Sequence, residues 1–162
     1  MPEAKEKQKG LLINEKYKKE FSMTISQISV FLENKSGRLA DVTKVLADAG
    51  INIRAMTIAD TADFGILRII VNDTDKACKA FEKNGFTVRI TKVLGIEIED
   101  RPGGLHKVME TFKNNGVNIE YLYASVENKK NKAVVIFKVE DVELGLKIAA
   151  SSSLVAVSEK DL

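Results

Sequence analysis

The stretch ENKSGRLADVTKVLADAGINI, residues 33–53, is followed later in the chain by a similar stretch, EDRPGGLHKVMETFKNNGVNI, residues 99–119. The offset is 99 − 33 = 66 residues, and seven of the matched positions are identical. The identical pairs are Glu33/Glu99, Gly37/Gly103, Leu39/Leu105, Val42/Val108, Gly50/Gly116, Asn52/Asn118 and Ile53/Ile119. A repeat of this period predicts two structural units of roughly 65–70 residues each.

The pattern of apolar residues predicts the same elements in each copy. Ile28, Val30 and Leu32 alternate with the period of a strand, and a glycine turn and an amphipathic helix follow. Gly50 and Gly116 are the expected C-terminal caps of the two helices. Later elements are predicted at residues 51–59, 66–71, 75–84 and 86–91, and in the second copy at 117–126, 133–139, 142–149 and 154–158. The order is βαββαβ twice, which predicts an α+β protein of two tandem ferredoxin-like units, each with two helices on one face of an antiparallel sheet.

Composition divides the chain into a charged arm, residues 1–22, and two units, residues 23–92 and 93–162. The first 21 residues hold six lysines and four glutamates, so the remainder carries 25 − 6 = 19 basic and 23 − 4 = 19 acidic side chains. A neutral body argues against nucleic-acid binding, which usually needs a basic face. The strand at residues 66–71 also lacks the aromatic side chains with which ferredoxin-like RNA-binding domains stack bases.

The overall composition indicates a globular protein rather than a membrane protein. Charged residues make up 30% of the chain and apolar residues 44%, with no apolar run long enough to span a bilayer. Cys78 is the only cysteine, which excludes an intramolecular disulfide and a cysteine-based metal cluster within one chain. A reducing, cytoplasmic location is therefore expected.

The repeated turn has the chemistry of a small anion site. Gly37, Gly103 and Gly104 allow the backbone to turn tightly before a helix whose first N–H groups lack intrahelical partners. These N–H groups favour a carboxylate, while the side-chain oxygens of Asn34 and Asp100 are placed to accept from an ammonium group. Together they match the two ends of an amino acid. The alternative is that the same residues, with Ser36, only build a turn.

The two quoted stretches resemble the ACT domain family, which consists of small βαββαβ regulatory modules that bind amino acids and control metabolic enzymes. The resemblance covers about residues 25–158. The first copy, including IRAMTIADT, is similar to the N-terminal part of acetohydroxyacid synthase regulatory subunits. The whole chain is more similar to stand-alone tandem ACT proteins that bind amino acids.

The resemblance implies that ligands lie where two ACT units meet, between the turn of one unit and the second strand of its neighbour. The residues it implies as ligand-binding are Asn34, Ser36, Gly37, Arg38, Leu39, Asn52 and Ile53 in the first copy, and Asp100, Gly103, Gly104, Leu105, Asn118 and Ile119 in the second. Arg38 stands where the family usually has a small or apolar residue. Its side chain would either occlude the first site or add a contact to the carboxylate.

The residues offer little for catalysis. His106 is the only histidine, so no catalytic triad is available, and an exposed position is predicted for it. Cys78 is predicted as a small core residue, and Tyr121 and Tyr123 as ordinary strand residues. We therefore predict a non-catalytic amino-acid sensor without metal or cofactor, either as a homodimer or with a partner enzyme. The alternatives are a regulatory subunit of a branched-chain biosynthetic enzyme and a structural adaptor with degenerate sites.

Overall fold

The computed structural model describes residues 22–60, 63–125 and 131–162. The predicted arm lies outside them except for Ser22. The helices and strands are β1 Thr24–Glu33, α1 Arg38–Asp48, β2 Ile53–Asp60, β3 Phe64–Val71, α2 Thr74–Lys83, β4 Thr87–Glu99, α3 Gly104–Asn114, β5 Ile119–Ala124, β6 Lys132–Val139, α4 Val142–Ser151 and β7 Val155–Val157. This order confirms two tandem βαββαβ units. None of the helices in the described ranges is long and apolar enough to cross a membrane.

The two copies share strand β4. Its first half pairs with β1, and its second half pairs with β6 and β7, all antiparallel. The strands of the described ranges thus form one sheet in the order β2-β3-β1-β4-β6-β5, with β7 also paired to β4. The sequence predicts two strands in this region, but no turn residue separates them. Gly95 lies inside this strand, and a glycine is needed there because a Cβ would come within 2.5 Å of the Val157 side chain and 2.6 Å of the Ile25 side chain. The predicted boundary between residues 92 and 93 lies within β4.

Each copy buries its own core between its helices and the sheet. The first core centres on Phe81 and Phe86, whose rings meet edge to face at a centroid distance of 5.8 Å. The second centres on Phe112 and Phe137, in the same geometry at 5.6 Å. Edge-to-face packing adds a specific attraction to the burial of these rings. The two cores hold α1 and α3 over the sheet, and so fix where each helix begins.

A third apolar cluster joins the two copies on the sheet face opposite the helices. Ile25, Ile70 and Val93 come from the first copy, and Ile136 and Val157 from the second. The sheet curls until its two edge strands touch, with Ala55 of β2 bridging to Ser125 just beyond β5. The two copies therefore pack against each other within one chain.

Candidate functional site

The two repeated helices begin differently from the other two. Gly37 and Gly103 precede α1 and α3 with φ angles of 90° and 87°, a left-handed conformation that glycine adopts without strain. Neither helix start has a side-chain cap. In contrast, Asp73 and Asp141 cap α2 and α4, each accepting a backbone N–H bond of 3.0 Å. The first-turn N–H groups of α1 and α3 thus have no side-chain acceptor and favour an anion.

A cavity of about 200 Å³ lies beside the second turn. This is below the roughly 300–1,000 Å³ of pockets for drug-sized ligands, so the cavity suits a small molecule. Its walls come from the end of β4, the turn, the first turn of α3, the start of β6 and the link into β7. The lining residues are Glu97, Ile98, Glu99, Arg101, Gly103, Gly104, Lys107, Val108, Lys132, Ser153, Leu154 and Val155.

The charges in this cavity have both signs. The Lys132 ammonium lies 3.1 Å from the Glu97 carboxylate, Arg101 donates to the Glu99 carboxylate, and Lys107 is a third cation. The hydrogen bond from Arg101, and then its positive charge, lower the pKa of Glu99 below the usual value of a glutamate. Because Glu99 keeps its negative charge, the cavity offers carboxylates for an ammonium group beside cations for an anion.

Gly104 brings the strand and the helix of this site together. A Cβ at this position would overlap the carbonyl oxygen of Glu99, so any larger residue forces the backbone apart. The Gly104 N–H also donates to the carbonyl of Arg101 at 3.0 Å. Glycine is therefore required at position 104 by this close contact, while the left-handed turn itself is made by Gly103. Gly104 and Glu99 both line the cavity.

The first turn differs from the second at the position of Arg38, which matches Gly104. The Arg38 guanidinium lies 5.2 Å from the centre of the Phe86 ring and 3.2 Å from the Asp41 carboxylate. Leu154, which follows α4 as Phe86 follows α2, lines the cavity of the second copy together with Gly104. The Arg38 side chain thus extends over the region of the first copy that corresponds to the cavity beside the second turn.

The two repeated asparagines lie away from the turns of their own copies. Asn52 and Asn118 stand just before β2 and β5, at the far end of helices of 11 residues, which are about 16 Å long at 1.5 Å per residue. Both are exposed, and Asn118 donates to the Glu140 carboxylate at 3.4 Å. Ile53 and Ile119 are half-buried against the first and second cores. None of these residues lines the cavity beside the second turn.

The other predicted residues have mainly structural contacts. The backbone N–H groups of Asn34 and Asp100 donate to the carbonyls of Asp63 and Asn131, at 2.9 and 3.1 Å. These bonds tie each turn to the hairpin loop beside it. Ser36 and Leu39 are exposed, and Leu105 is half-buried against the second core.

Sequence reasoning missed several cavity residues. Glu97 and Lys132 meet only because β4 pairs with β6, and Ser153 to Val155 reach the turn only through the fold.

The exposed position predicted for His106 is confirmed. Cys78 packs partly buried against the first core, and its burial raises the pKa of its thiol.

The fold and this cavity together describe a tandem ferredoxin-like protein with a small cavity beside the start of one helix. Residues 23–162 match the family model of the ACT domain pair, and the chain belongs to this family. The resemblance found in the sequence is thereby confirmed. Family membership supports a regulatory, ligand-binding role.

Solved structures with this fold include a protein of high similarity. Protein BT0572 from Bacteroides thetaiotaomicron is 43% identical, with a TM-score of 0.81 over 86% of this chain and 95% of that chain. The ligand-free regulatory subunit of aspartate kinase from Thermus thermophilus is 18% identical, with a TM-score of 0.60 over 80% and 92% of the two chains. The Thermus flavus subunit is 19% identical, with a TM-score of 0.56 over 79% and 92%. A search of curated proteins returned no match.

Proposed function

We propose that this chain is a non-catalytic regulatory protein that binds a small amino acid beside its second glycine turn. The observation that supports this most directly is the cavity at the start of α3, where an uncapped helix terminus, Lys107 and two glutamates converge. A zwitterion needs donors and acceptors a few ångströms apart, and this arrangement offers both. The site belongs to the second unit, proposed at residues 93–162.

The proposed contacts follow from charge. The ligand carboxylate accepts from the first-turn N–H groups of α3 and from Lys107. Its ammonium group donates to Glu97 and Glu99. Its side chain lies toward Leu154 and Val155, and the cavity of about 200 Å³ restricts it to a small amino acid.

A second chain completes the site in this proposal. Val155 lines the cavity and is 52% exposed, so an apolar surface remains beside the ligand for a partner to cover. A homodimer would bring the exposed Asn52 or Asn118 of another chain toward the turn. A ligand held between two chains favours the associated state by RT ln(1 + [L]/Kd), about 2.7 kcal/mol at a hundredfold excess over Kd. A partner enzyme that distinguishes the two states then reads the signal.

A second proposal places the chain as the regulatory subunit of a metabolic enzyme. It is favoured by the common fold with two regulatory subunits of aspartate kinase. Affinity purification of the tagged chain from its own cells tests this proposal. Stoichiometric recovery of a catalytic subunit supports it, and recovery of the chain alone contradicts it.

The first experiment is a thermal-shift screen of the native chain against the twenty amino acids, with Lys107→Gln and Lys35→Gln proteins in parallel. We expect a small amino acid to raise the melting temperature of the native and Lys35→Gln proteins, and to raise that of Lys107→Gln much less. Analytical ultracentrifugation with and without this amino acid measures association. If none of the twenty raises the melting temperature, the proposal is wrong and the structural-adaptor alternative is favoured.

A further inference from the structure

A second cavity lies on the sheet face opposite the helices, in the cleft between the two copies. It has a volume of about 340 Å³ and shares no lining residue with the cavity at the second turn. The first copy contributes β1, β3 and β4 to its walls, and the second contributes β5 and β6. The lining residues are Ser29, Phe31, Ile66, Arg68, Arg89, Thr91, Glu120, Tyr121 and Lys138.

Two arginines flank one serine across three adjacent strands of this cleft. In the sheet register Ser29 of β1 is opposite Arg68 of β3 on one side and opposite Arg89 of β4 on the other. Neighbouring strands are about 4.8 Å apart, so the backbones of the two arginines stand about 10 Å apart. Ser29 itself is buried. The register thus places the two arginines in one row across the sheet, and both side chains line the cleft.

A buried hydrogen-bond network holds the opposite wall in place. Gln27 is fully buried, and its amide donates to the Tyr121 hydroxyl and accepts from the Tyr123 hydroxyl, both at 2.9 Å. Burial raises the pKa of Tyr123, so its hydroxyl keeps the proton that it donates. Since Gln27 is in the first copy and the tyrosines are in the second, these bonds fix the width of the cleft.

The positive charges of the cleft exceed its negative charges. The Arg68 guanidinium lies 4.0 Å from the centre of the Tyr121 ring, which leaves the N–H edges of its plane available. Lys138 is paired with Glu120 at 3.2 Å. Within the described ranges, neither Arg68 nor Arg89 forms an ion pair. Three cations and one carboxylate give 3 − 1 = +2 for the cleft.

We propose that this cleft binds a small polyanion, a molecule with at least two negative charges on carboxylate or phosphate oxygens, between Arg68 and Arg89. Guanidinium groups present paired donors that match both kinds of oxygen, and two charges on the ligand compensate the +2 of the cleft. Phe31 and Ile66 line the cleft and contact the carbon part of the ligand. Because both copies line the cleft, the bound polyanion contacts both of them. This site is independent of the amino-acid site.

The test is isothermal titration calorimetry of the full chain at 0.15 M ionic strength with two probes, succinate for the carboxylate class and pyrophosphate for the phosphate class. We expect the native protein to bind at least one of them. Arg89→Gln and Arg68→Gln should each weaken this binding at least tenfold, and Lys35→Gln, which removes one exposed positive charge elsewhere, should leave it unchanged. A saturating amino acid for the second turn should not displace the probe.

Which probe binds decides between carboxylate and phosphate ligands. Arg89 is exposed, so its replacement should not disturb the fold, and the melting temperatures of all variants are measured to check this. The proposal is overturned if neither probe binds, or if binding survives both arginine replacements. It is also overturned if Lys35→Gln weakens binding as much as Arg89→Gln, because a response to net charge alone would then explain the result.

Discussion

The two glycine turns have the same left-handed glycine and differ in the residue that follows it. Gly37 and Gly103 have nearly the same φ angle, and neither following helix has a side-chain cap. The next residue is Arg38 in the first copy, which extends over Phe86, and Gly104 in the second, which leaves a cavity. Both helices thus begin without a side-chain cap, but the cavity lies beside the second turn, and the Arg38 side chain covers the corresponding region of the first.

The largest expected effect is on the free energy of unfolding, and it tests whether the two copies unfold together or separately. Phe81→Ala and Phe112→Ala each remove a fully buried ring from one core and should each lower the free energy of unfolding by about 4 kcal/mol. Because the copies share β4 and a third apolar cluster, urea unfolding followed by circular dichroism should show a single transition in both variants. Two separate transitions would show that the copies fold independently.

Replacements at the matched positions Gly104 and Arg38 should lower stability less than the loss of a core ring, and by different amounts. Gly104→Ala places a Cβ against the Glu99 carbonyl and should cost about 3 kcal/mol, together with amino-acid binding. Arg38→Ala removes a contact with Phe86 and should cost about 1 kcal/mol. Gly103→Ala, whose Cβ meets no other atom, isolates the cost of the left-handed turn, about 1–2 kcal/mol. Equal effects at Gly104 and Arg38 would contradict the assigned role of Gly104.

Affinity for the amino acid should depend on the second turn. Lys107→Gln removes a cation from the cavity and should weaken binding about tenfold, which corresponds to roughly 1.4 kcal/mol and is ordinary for a charge-assisted hydrogen bond. Lys35→Gln removes an exposed cation from the first turn, and binding should not change. Calorimetric titration measures both. A loss of binding in Lys35→Gln alone would move the site to the first copy.

Arg38→Gly tests whether removal of one side chain creates space for a ligand beside the first turn. The replacement removes the side chain above Phe86 and makes the first copy like the second at this position. We expect a second, weaker binding event in calorimetry, since the first turn lacks the cation that Lys107 supplies. An unchanged stoichiometry in a stably folded Arg38→Gly protein would show that more than this side chain closes the first turn.

The smallest expected effect is a pH dependence at Glu99. Its pKa is lowered in the folded protein by Arg101, relative to about 4.3 in an unfolded chain. The stability that the ionised carboxylate contributes is therefore present above about pH 4.3 and is lost as the pH falls through the lowered pKa. The stability difference between native and Glu99→Gln proteins should shrink in acid. Arg101→Gln should remove most of this dependence, and a difference that grows in acid would contradict the assignment.

The repeat made most of the fold predictable, because its periodicity and its glycines are local signals. The shared strand β4 was not predicted, because two adjacent strand patterns without a turn between them are compatible with one long strand or with two short ones. Gly104 was predicted as a site residue, but its contact with the Glu99 carbonyl depends on how the chain folds back. Lys132 and Val155 had no local signal, because pairing along β4 brings them to the cavity.

The most direct test of an amino-acid site at the second turn is the number of amino acid molecules bound per chain. Calorimetry measures this number with the amino acid that gives the largest thermal shift. We predict one molecule per chain in the native protein, no measurable binding in Gly104→Ala, and unchanged binding in Lys35→Gln. Two equivalent molecules per chain, or one molecule whose binding survives in a folded Gly104→Ala protein, would contradict the assignment of the site to the second turn.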